Sequence, residues 1–320
     1  MAWVLRQNTI DISSPQRPNM VYLKIIRPVN LLLIAIVQIV IKYVLFDVFE
    51  AEMAMNALQF VLLLVATLAI AAAGNVVNDV YDVEIDMINK PDKVLVGKSI
   101  TERKAFNYFI LLNVIGVICG FVLANQLGKP GLAATFIVIS ALLYIYSTQI
   151  KAMLILGNVL ISALVSFSLL IVLIFDFYPL AINGLSESQK AASQIVFHYA
   201  VFAFIVNLIR EIVKDLEDIN GDKNGGISTL AIALGRSRTT MLVFVLTALF
   251  IAAIVAYLYT FLYNKKLMVL YFLFLIVAPL LYFCSKAWGA ESSKEYRHLS
   301  LVLKLVMVTG MCALICYKFI

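Results

Sequence analysis

The chain alternates between long apolar runs and short polar connections. A helix needs about 20 apolar residues to cross the hydrocarbon core of a bilayer, and nine runs approach or exceed that length. The predicted spans are residues 29–46, 57–73, 106–127, 131–147, 153–175, 195–212, 240–262, 267–284 and 300–317. The pattern therefore predicts an all-α membrane protein, a bundle of about nine transmembrane helices.

Residues 1–28 are mostly polar and are expected to form an N-terminal lead, followed by a single membrane domain over residues 29–320. The lead lacks an apolar stretch before a small-residue cleavage site, so the first span is expected to direct insertion itself. Proline is tolerated in the first turn of a helix, which predicts that this span begins at Pro28.

Composition agrees with a membrane protein and adds an orientation. Hydrophobic residues make up 63% of the chain and charged residues only 14%, where a soluble domain has about a quarter charged. With nine spans, the N-terminus shares a side with the loops after the even-numbered spans. That side carries 18 Lys and Arg residues against 6 on the other side, which predicts a cytosolic N-terminus. Lys42 and Lys304 lie within or beside spans and are expected to extend towards the interface.

Two acidic segments interrupt this apolar background, residues 75–93 and residues 210–222. Together they hold 10 of the 19 carboxylates, and both fall on the side predicted to be cytosolic. Each contains three aspartates spaced by three and then four residues, which places them on one helix face. The two trios are Asp79, Asp82 and Asp86, and Asp215, Asp218 and Asp222.

The ligand chemistry of these segments favours a hard divalent cation. Carboxylate and amide oxygens suit Mg²⁺ or Ca²⁺, whereas the four cysteines and two histidines show no zinc or copper spacing. Mg²⁺ takes a few carboxylates and completes its shell with water and phosphate oxygens, so two facing acidic helix ends are suited to clamp a diphosphate. Nearby basic side chains are suited to bind the remaining phosphate oxygens, namely Lys90, Lys93, Lys151, Arg210 and Lys214.

A metal-bound diphosphate beside apolar helices suggests ionisation of an allylic, isoprenyl diphosphate. The metal stabilises the leaving group, the membrane cavity shelters the prenyl chain, and aromatic faces stabilise the allylic cation. Four tyrosines near the predicted cytosolic span ends are candidates for that lining: Tyr81, Tyr108, Tyr144 and Tyr146. Glu84 and Glu217 point away from the aspartate faces and are expected to be solvated.

The two motifs resemble the signatures of the UbiA-type intramembrane prenyltransferases. Residues 78–86 read Asn-Asp-x-x-Asp-x-x-x-Asp, and residues 214–222 read Lys-Asp-x-x-Asp-x-x-x-Asp, similar to the family's first and second aspartate-rich motifs. The resemblance covers essentially the whole chain. It implies transfer of a prenyl group from its diphosphate to a lipophilic acceptor within the membrane, with Mg²⁺ as cofactor and both motifs cytosolic.

Individual roles follow from this resemblance, position by position. It implies that Asp79, Asp82, Asp215 and Asp218 are catalytic. It implies metal ligands at Asn78, Asp82, Asp86, Asp215, Asp218 and Asp222. Lys151 resembles a family lysine that touches diphosphate, and Arg27 resembles the arginine before the first span. The expected diphosphate ligands are thus Arg27, Lys90, Lys93, Lys151, Arg210 and Lys214.

The sequence leaves the acceptor open. The flanks of the first motif depart from the quinone-type pattern, and residues 210–222 look more like the branch that prenylates geranylgeranylglyceryl phosphate. An aromatic acceptor of quinone or haem biosynthesis is the alternative. A cation-coupled transporter is less consistent, because its charges are expected near mid-span. The expected partners are an isoprenyl diphosphate, a lipophilic acceptor and membrane lipids, without nucleic acid or a protein partner.

Overall fold

The structure is a computed structural model that describes residues 18–182 and 184–319. Most of the predicted N-terminal lead therefore lies outside the described residues. The described helices are α1 (Pro18–Ile25), α2 (Pro28–Val48), α3 (Ala57–Tyr81), α4 (Val83–Asn89), α5 (Glu102–Gln126), α6 (Pro130–Thr148), α7 (Leu156–Phe177), α8 (Glu187–Asn224), α9 (Leu230–Ala233), α10 (Arg236–Leu262), α11 (Lys266–Ala287) and α12 (Ser293–Phe319).

The prediction of an all-α bundle with nine spans is confirmed. Within the described part of the chain, nine helices are long and apolar enough to cross a membrane. They are α2, α3, α5, α6, α7, α8, α10, α11 and α12. The first of them begins at Pro28, as predicted, and proline occupies its first turn.

Two spans extend well beyond their predicted ends. Helix α3 continues past residue 73 to Tyr81, and α8 covers 38 residues where the apolar run predicted 195–212. The start of α8 is fixed by Ser186 and Gln189, whose side chains each bind the other's backbone N–H in a capping box. Helix α8 thereby carries the whole second acidic segment as a rigid continuation of its span, whereas α3 ends at Tyr81 and the first acidic segment continues through Asp82 into α4.

The spans surround one internal space. Helix α3 packs against α5 and α6, α8 packs against α7 and α12, and α2 contacts α3, α7 and α12. Close packing of α5 on α6 depends on Gly120, because a Cβ there would lie 2.1 Å from the ring of Phe136. This arrangement places the acidic ends of α3 and α8 at the same end of the bundle.

A buried ion pair lies in the wall of the bundle. Lys42 Nζ is 2.9 Å from both carboxylate oxygens of Asp176, and both side chains are almost fully buried. Lys42 also donates to the carbonyl of Met55, whose own N–H donates to Asp176. The expectation that Lys42 extends to the interface was therefore wrong, because a carboxylate 134 residues away neutralises it inside the bundle.

Removal of the Lys42 charge tests this account. We expect Lys42→Met to destabilise the protein by about 3–5 kcal/mol, because Asp176 is left as an uncompensated buried charge. Thermal unfolding of the detergent-solubilised protein measures the effect.

The matched double variant Lys42→Met with Asp176→Leu removes both charges and is expected to recover most of the lost stability. A single variant that unfolds at the wild-type temperature would contradict the account.

Candidate active site

Both acidic segments line one cavity of about 1060 Å³ within the bundle. Its lining includes every residue assigned above to metal binding, diphosphate binding or catalysis: Arg27, Asn78, Asp79, Asp82, Asp86, Lys90, Lys93, Lys151, Arg210, Lys214, Asp215, Asp218 and Asp222. The cavity is larger than the roughly 300–1,000 Å³ of typical small-molecule pockets. The spacing argument correctly predicted that the two faces meet, and the individual roles stay predictions.

Asp82 occupies the junction between α3 and α4. It is 6% exposed, and its carboxylate accepts a hydrogen bond of 2.6 Å from the Asn78 side chain one turn earlier. Lys151, in the turn between α6 and α7, forms an ion pair with the same carboxylate oxygen. The end of α3 and the turn between α6 and α7 therefore meet at one carboxylate.

Asp79 is held by Arg27, at the entry to the first span. The distance from Arg27 Nη2 to Asp79 Oδ1 is 2.6 Å. Arg27 has a φ of 54°, a left-handed conformation that costs a non-glycine residue of order 1–3 kcal/mol. The Asn75 side chain donates to the carbonyl of Ile26 and fixes this turn against α3. The first span is therefore anchored to the first motif where its chain enters the membrane.

The second motif is connected to the first through lysine. Lys90 Nζ is 2.5 Å from Asp218 Oδ2 and 3.9 Å from Glu217 Oε1. Glu217 also accepts a hydrogen bond of 2.9 Å from Arg297, and its side chain is only 8% exposed. The expectation that Glu217 is solvated was wrong, because these two cations draw it against the cavity wall.

A second contact between the motifs involves Asn89 and Gly221. The Asn89 side-chain oxygen accepts a hydrogen bond of 2.9 Å from the Gly221 backbone N–H, which is unusual within a helix. A Cβ at position 221 would lie 2.3 Å from Asn89 Nδ2, so only glycine permits this approach of α4 to α8. The Asn89–Gly221 contact therefore helps set the distance between the two acidic faces.

The remaining aspartates, Asp86 and Asp222, lie close to other negative charges. Burial, reinforced by the negative charge of Asp82, raises the pKa of Asp86 above its ordinary value. Asp222 is buried, and the charges of Asp218 and Asp82 act on it together with the opposing charge of Lys151. Each of these carboxylates would be stabilised by an additional cation.

The donor set of the cavity fits magnesium. Among the described residues, no three His, Cys, Asp or Glu side chains are grouped closely enough to hold a metal ion as they stand. Two of the carboxylates are instead paired with Lys151 and Lys90. The available donors are all carboxylate or amide oxygens, which are the ligands Mg²⁺ prefers in proteins.

The contacts of two residues in the site could not be assigned from the motifs alone. Asn158 on α7 donates a hydrogen bond of 2.7 Å to Asp215. Glu211 binds both neighbouring cations, at 3.2 Å from Arg210 and 3.0 Å from Lys214. The sequence could have indicated Asn158 as a site residue, because it is an isolated amide near the start of a mostly apolar span.

The interior of the cavity is apolar and partly aromatic. Its lining there includes Phe136, Tyr199, Phe202, Phe250, Phe272 and Leu314. Of the four predicted tyrosines only Tyr146 belongs to the lining. Tyr81 and Tyr144 are partly exposed and contact each other, and Tyr108 packs edge-on against Tyr22. The assignment of those three to the cavity was wrong, because the rotation of each helix turns them away.

Comparison with known proteins identifies relatives across most of the chain. The sequence model of the UbiA prenyltransferase family matches residues 43–308. A digeranylgeranylglyceryl phosphate synthase from Methanosphaera stadtmanae is 28% identical over 290 residues, 90% of this chain and 95% of the relative. One from Pyrococcus horikoshii is 30% identical over 218 residues, 68% and 70% of the two chains.

The fold is also shared with solved structures. A UbiA homologue from Archaeoglobus fulgidus, bound to DMAPP and Mg²⁺, superimposes with a TM-score of 0.54. It is 17% identical, and the alignment covers 92% of this chain and 98% of that one. At this level of identity the match establishes the fold.

Substitution of Gly221 tests the contact between the motifs. We expect Gly221→Ala to destabilise the protein by about 1–3 kcal/mol, because the new methyl group overpacks against Asn89. It should also lower prenyl transfer by moving α4 away from α8. Thermal unfolding and initial rates measure the two effects.

Gly289→Ala is the matched control, since a Cβ there meets no atom within 4 Å among the described residues. Equal stability and activity of the two variants would contradict the proposed close approach.

Proposed function

The chain belongs to the UbiA prenyltransferase family, and we propose that it transfers a geranylgeranyl group from its diphosphate to geranylgeranylglyceryl phosphate. Relatives that align with 68–90% of the chain carry the name digeranylgeranylglyceryl phosphate synthase. Mg²⁺ is the proposed cofactor. The observation that carries the proposal is the two-part lining of one cavity, with carboxylates and lysines at one end and apolar side chains at the other.

The polar end supplies the ligands for a metal and a diphosphate. The proposed ligands of Mg²⁺ are Asn78, Asp82, Asp86, Asp215, Asp218 and Asp222. When bound, the metal neutralises the charge that develops on the leaving diphosphate. Lys151 and Lys90 are already placed at the carboxylates of Asp82 and Asp218, so small side-chain movements bring their ammonium groups to phosphate oxygens. Lys93, Arg210 and Lys214 line the same cavity and complete the cationic lining.

The proposed catalytic aspartates act through the groups they hold. Asp79 fixes the guanidinium of Arg27 towards the diphosphate. Asp82 and Asp218 orient the two lysines, and Asn158 fixes the carboxylate of Asp215. These contacts set the binding geometry before substrate arrives, and preorganised charges of this kind need no rearrangement during the reaction.

The apolar end determines the fate of the prenyl group. The bond between the first prenyl carbon and the diphosphate oxygen breaks, and this carbon forms an ether bond to the oxygen of the acceptor hydroxyl. The hydroxyl proton leaves with the released diphosphate. Apolar walls exclude water, which would otherwise capture the allylic cation. The ring of Tyr146 lines the cavity and can stabilise that cation.

The topology of the protein follows from its basic residues. The nine apolar helices among the described residues and the family make the chain an integral, multi-pass membrane protein. We further propose that the N-terminus and both acidic motifs face the cytosol, since the side that carries them holds most of the Lys and Arg residues. Residues 29–320 are proposed to form one domain, because both motifs contribute to a single cavity.

Asp82→Ala tests the role of the acidic end. The purified protein is assayed with geranylgeranyl diphosphate and Mg²⁺, with geranylgeranylglyceryl phosphate and an aromatic quinone precursor offered in parallel. We expect product with the glyceryl phosphate, a loss of more than about a hundredfold in Asp82→Ala, and no turnover in excess EDTA.

Glu84→Ala is the matched control, because Glu84 belongs to the same motif but is exposed and outside the cavity lining. Product with the aromatic acceptor alone would assign quinone-type chemistry instead. Equal loss in both variants would argue against a specific role of Asp82.

Lys151→Met tests diphosphate binding. We expect its KM for geranylgeranyl diphosphate to rise about ten- to a hundredfold, because a hydrogen bond to a charged group contributes roughly 1.5–3 kcal/mol. Initial-rate measurements at saturating acceptor give this KM.

Lys104→Met removes an exposed lysine outside the cavity and serves as the control. An unchanged KM in Lys151→Met would remove Lys151 from the diphosphate site.

A further inference from the structure

Lys304 is a charged residue within the last span that neither motif accounts for. It belongs to the face of α12 that lines the cavity, together with Arg297, Ser300, Leu301, Met307 and Met311. Seven residues separate Lys304 from Arg297, which is about 10 Å along the helix. Lys304 therefore lies deeper in the membrane than the contact between Arg297 and Glu217.

The partner of Lys304 is neutral. Its Nζ donates a hydrogen bond of 3.0 Å to the side-chain oxygen of Asn30 on α2, and no carboxylate lies within 4 Å among the described residues. Lys42 shows the opposite arrangement, fully buried and neutralised by Asp176. An ionisable side chain inside a membrane is costly, so one that faces a cavity without a counter-charge indicates a binding function.

A second cation lines the same cavity near the last span. Arg210 lies on α8, which packs against α12, and both Arg210 and Lys304 belong to the cavity lining. The carboxylate of Glu211 is shared between Arg210 and Lys214. Glu211 is shared by two cations and Lys304 has no carboxylate within 4 Å among the described residues, so these side chains leave positive charge available to a phosphate monoester, which carries roughly −1.5 to −2.

We propose that Lys304, Arg210 and Asn30 form an anion site for the phosphate of the acceptor lipid, beside the site of the prenyl diphosphate, with Arg210 shared by the two sites. This inference rests on the proposed function and names the feature by which the acceptor is recognised. The contact with Lys304 uses the oxygen of Asn30, so the amide N–H groups stay available to a phosphate oxygen. A phosphate held here lies on the membrane side of the carboxylates, where the lipid chain of the acceptor can enter the apolar part of the cavity.

The site discriminates between acceptors by charge. An acceptor that bears a phosphate monoester neutralises the cations, whereas its neutral, dephosphorylated analogue leaves them unpaired in an apolar setting. The enzyme should therefore select geranylgeranylglyceryl phosphate over geranylgeranylglycerol, although both offer the same hydroxyl and the same prenyl chain.

The test compares Lys304→Met with the wild-type protein on these two acceptors, with geranylgeranyl diphosphate and Mg²⁺. We expect the KM for the phosphate acceptor to rise about ten- to a hundredfold, corresponding to one lost charge-assisted hydrogen bond. The KM for geranylgeranyl diphosphate should stay unchanged, and the preference over the neutral acceptor should fall. Lys304→Arg keeps the charge and should retain most of the preference.

Lys318→Met is the matched control, because Lys318 is an exposed lysine near the other end of α12, outside the cavity lining. An unchanged KM in Lys304→Met, or an equal rise for the prenyl diphosphate and both acceptors, would overturn the proposed site. Thermal unfolding of each variant separates loss of recognition from loss of structure.

Direct binding separates failure of this inference from failure of the proposed function. If the wild-type protein forms no product from either acceptor, the proposed function is wrong. In that case, titration of geranylgeranylglyceryl phosphate into the Mg²⁺-loaded protein still tests whether the anion site exists. Binding that weakens about tenfold or more in Lys304→Met supports it, and equal or absent binding in both proteins overturns it.

Discussion

Mutual repulsion among six aspartates is the constraint on which the rest of this structure depends. They line one cavity in an apolar bundle, where charges interact more strongly than in water. Side chains from other segments hold four of these aspartates. Asp79 is held by Arg27, Asp82 by Lys151, Asp218 by Lys90 and Asp215 by Asn158. The contacts that offset the repulsion among the aspartates also connect the helices. The packing of the polar end therefore depends on the same ion pairs and hydrogen bonds as its electrostatics.

This compensation explains how the site can remain ready for a charged substrate. A lysine paired with a carboxylate is a poor ligand for phosphate until the carboxylate finds another cation. In the proposed site, a divalent cation and a diphosphate would supply both new partners together, so neither the acids nor Lys151 and Lys90 would be left without a counter-charge. Binding of either alone leaves part of the set unbalanced, which favours joint occupation of the site.

The sequence predicted the features that follow from hydropathy along the chain. It did not predict features that depend on the rotation of a helix or on pairing between residues distant in sequence. Hydropathy identified nine spans, but it reports the apolar stretch and not the helix end, so it missed the continuation of α3 and α8 into the motifs. Spacing of three and four correctly placed the second aspartate trio on one helix, α8, but it missed the break at Asp82 that divides the first trio between α3 and α4. It could not show that Tyr81 and Tyr144 turn outward, or that Lys42 meets Asp176. Glu217 was misplaced because its cations, Lys90 and Arg297, come from other helices.

The contrast between Lys42 and Lys304 shows how an intramembrane charge can be interpreted. Both are lysines in apolar spans, and hydropathy treats them alike. Lys42 is buried, with a carboxylate and a carbonyl as acceptors, so its charge is satisfied by the protein and serves packing. Lys304 faces a cavity and contacts a neutral amide, so in the proposed site its charge is balanced when an anion enters. Because a membrane protein incurs a free-energy penalty for each such charge, a residue without a permanent counter-charge is best explained by a transient one.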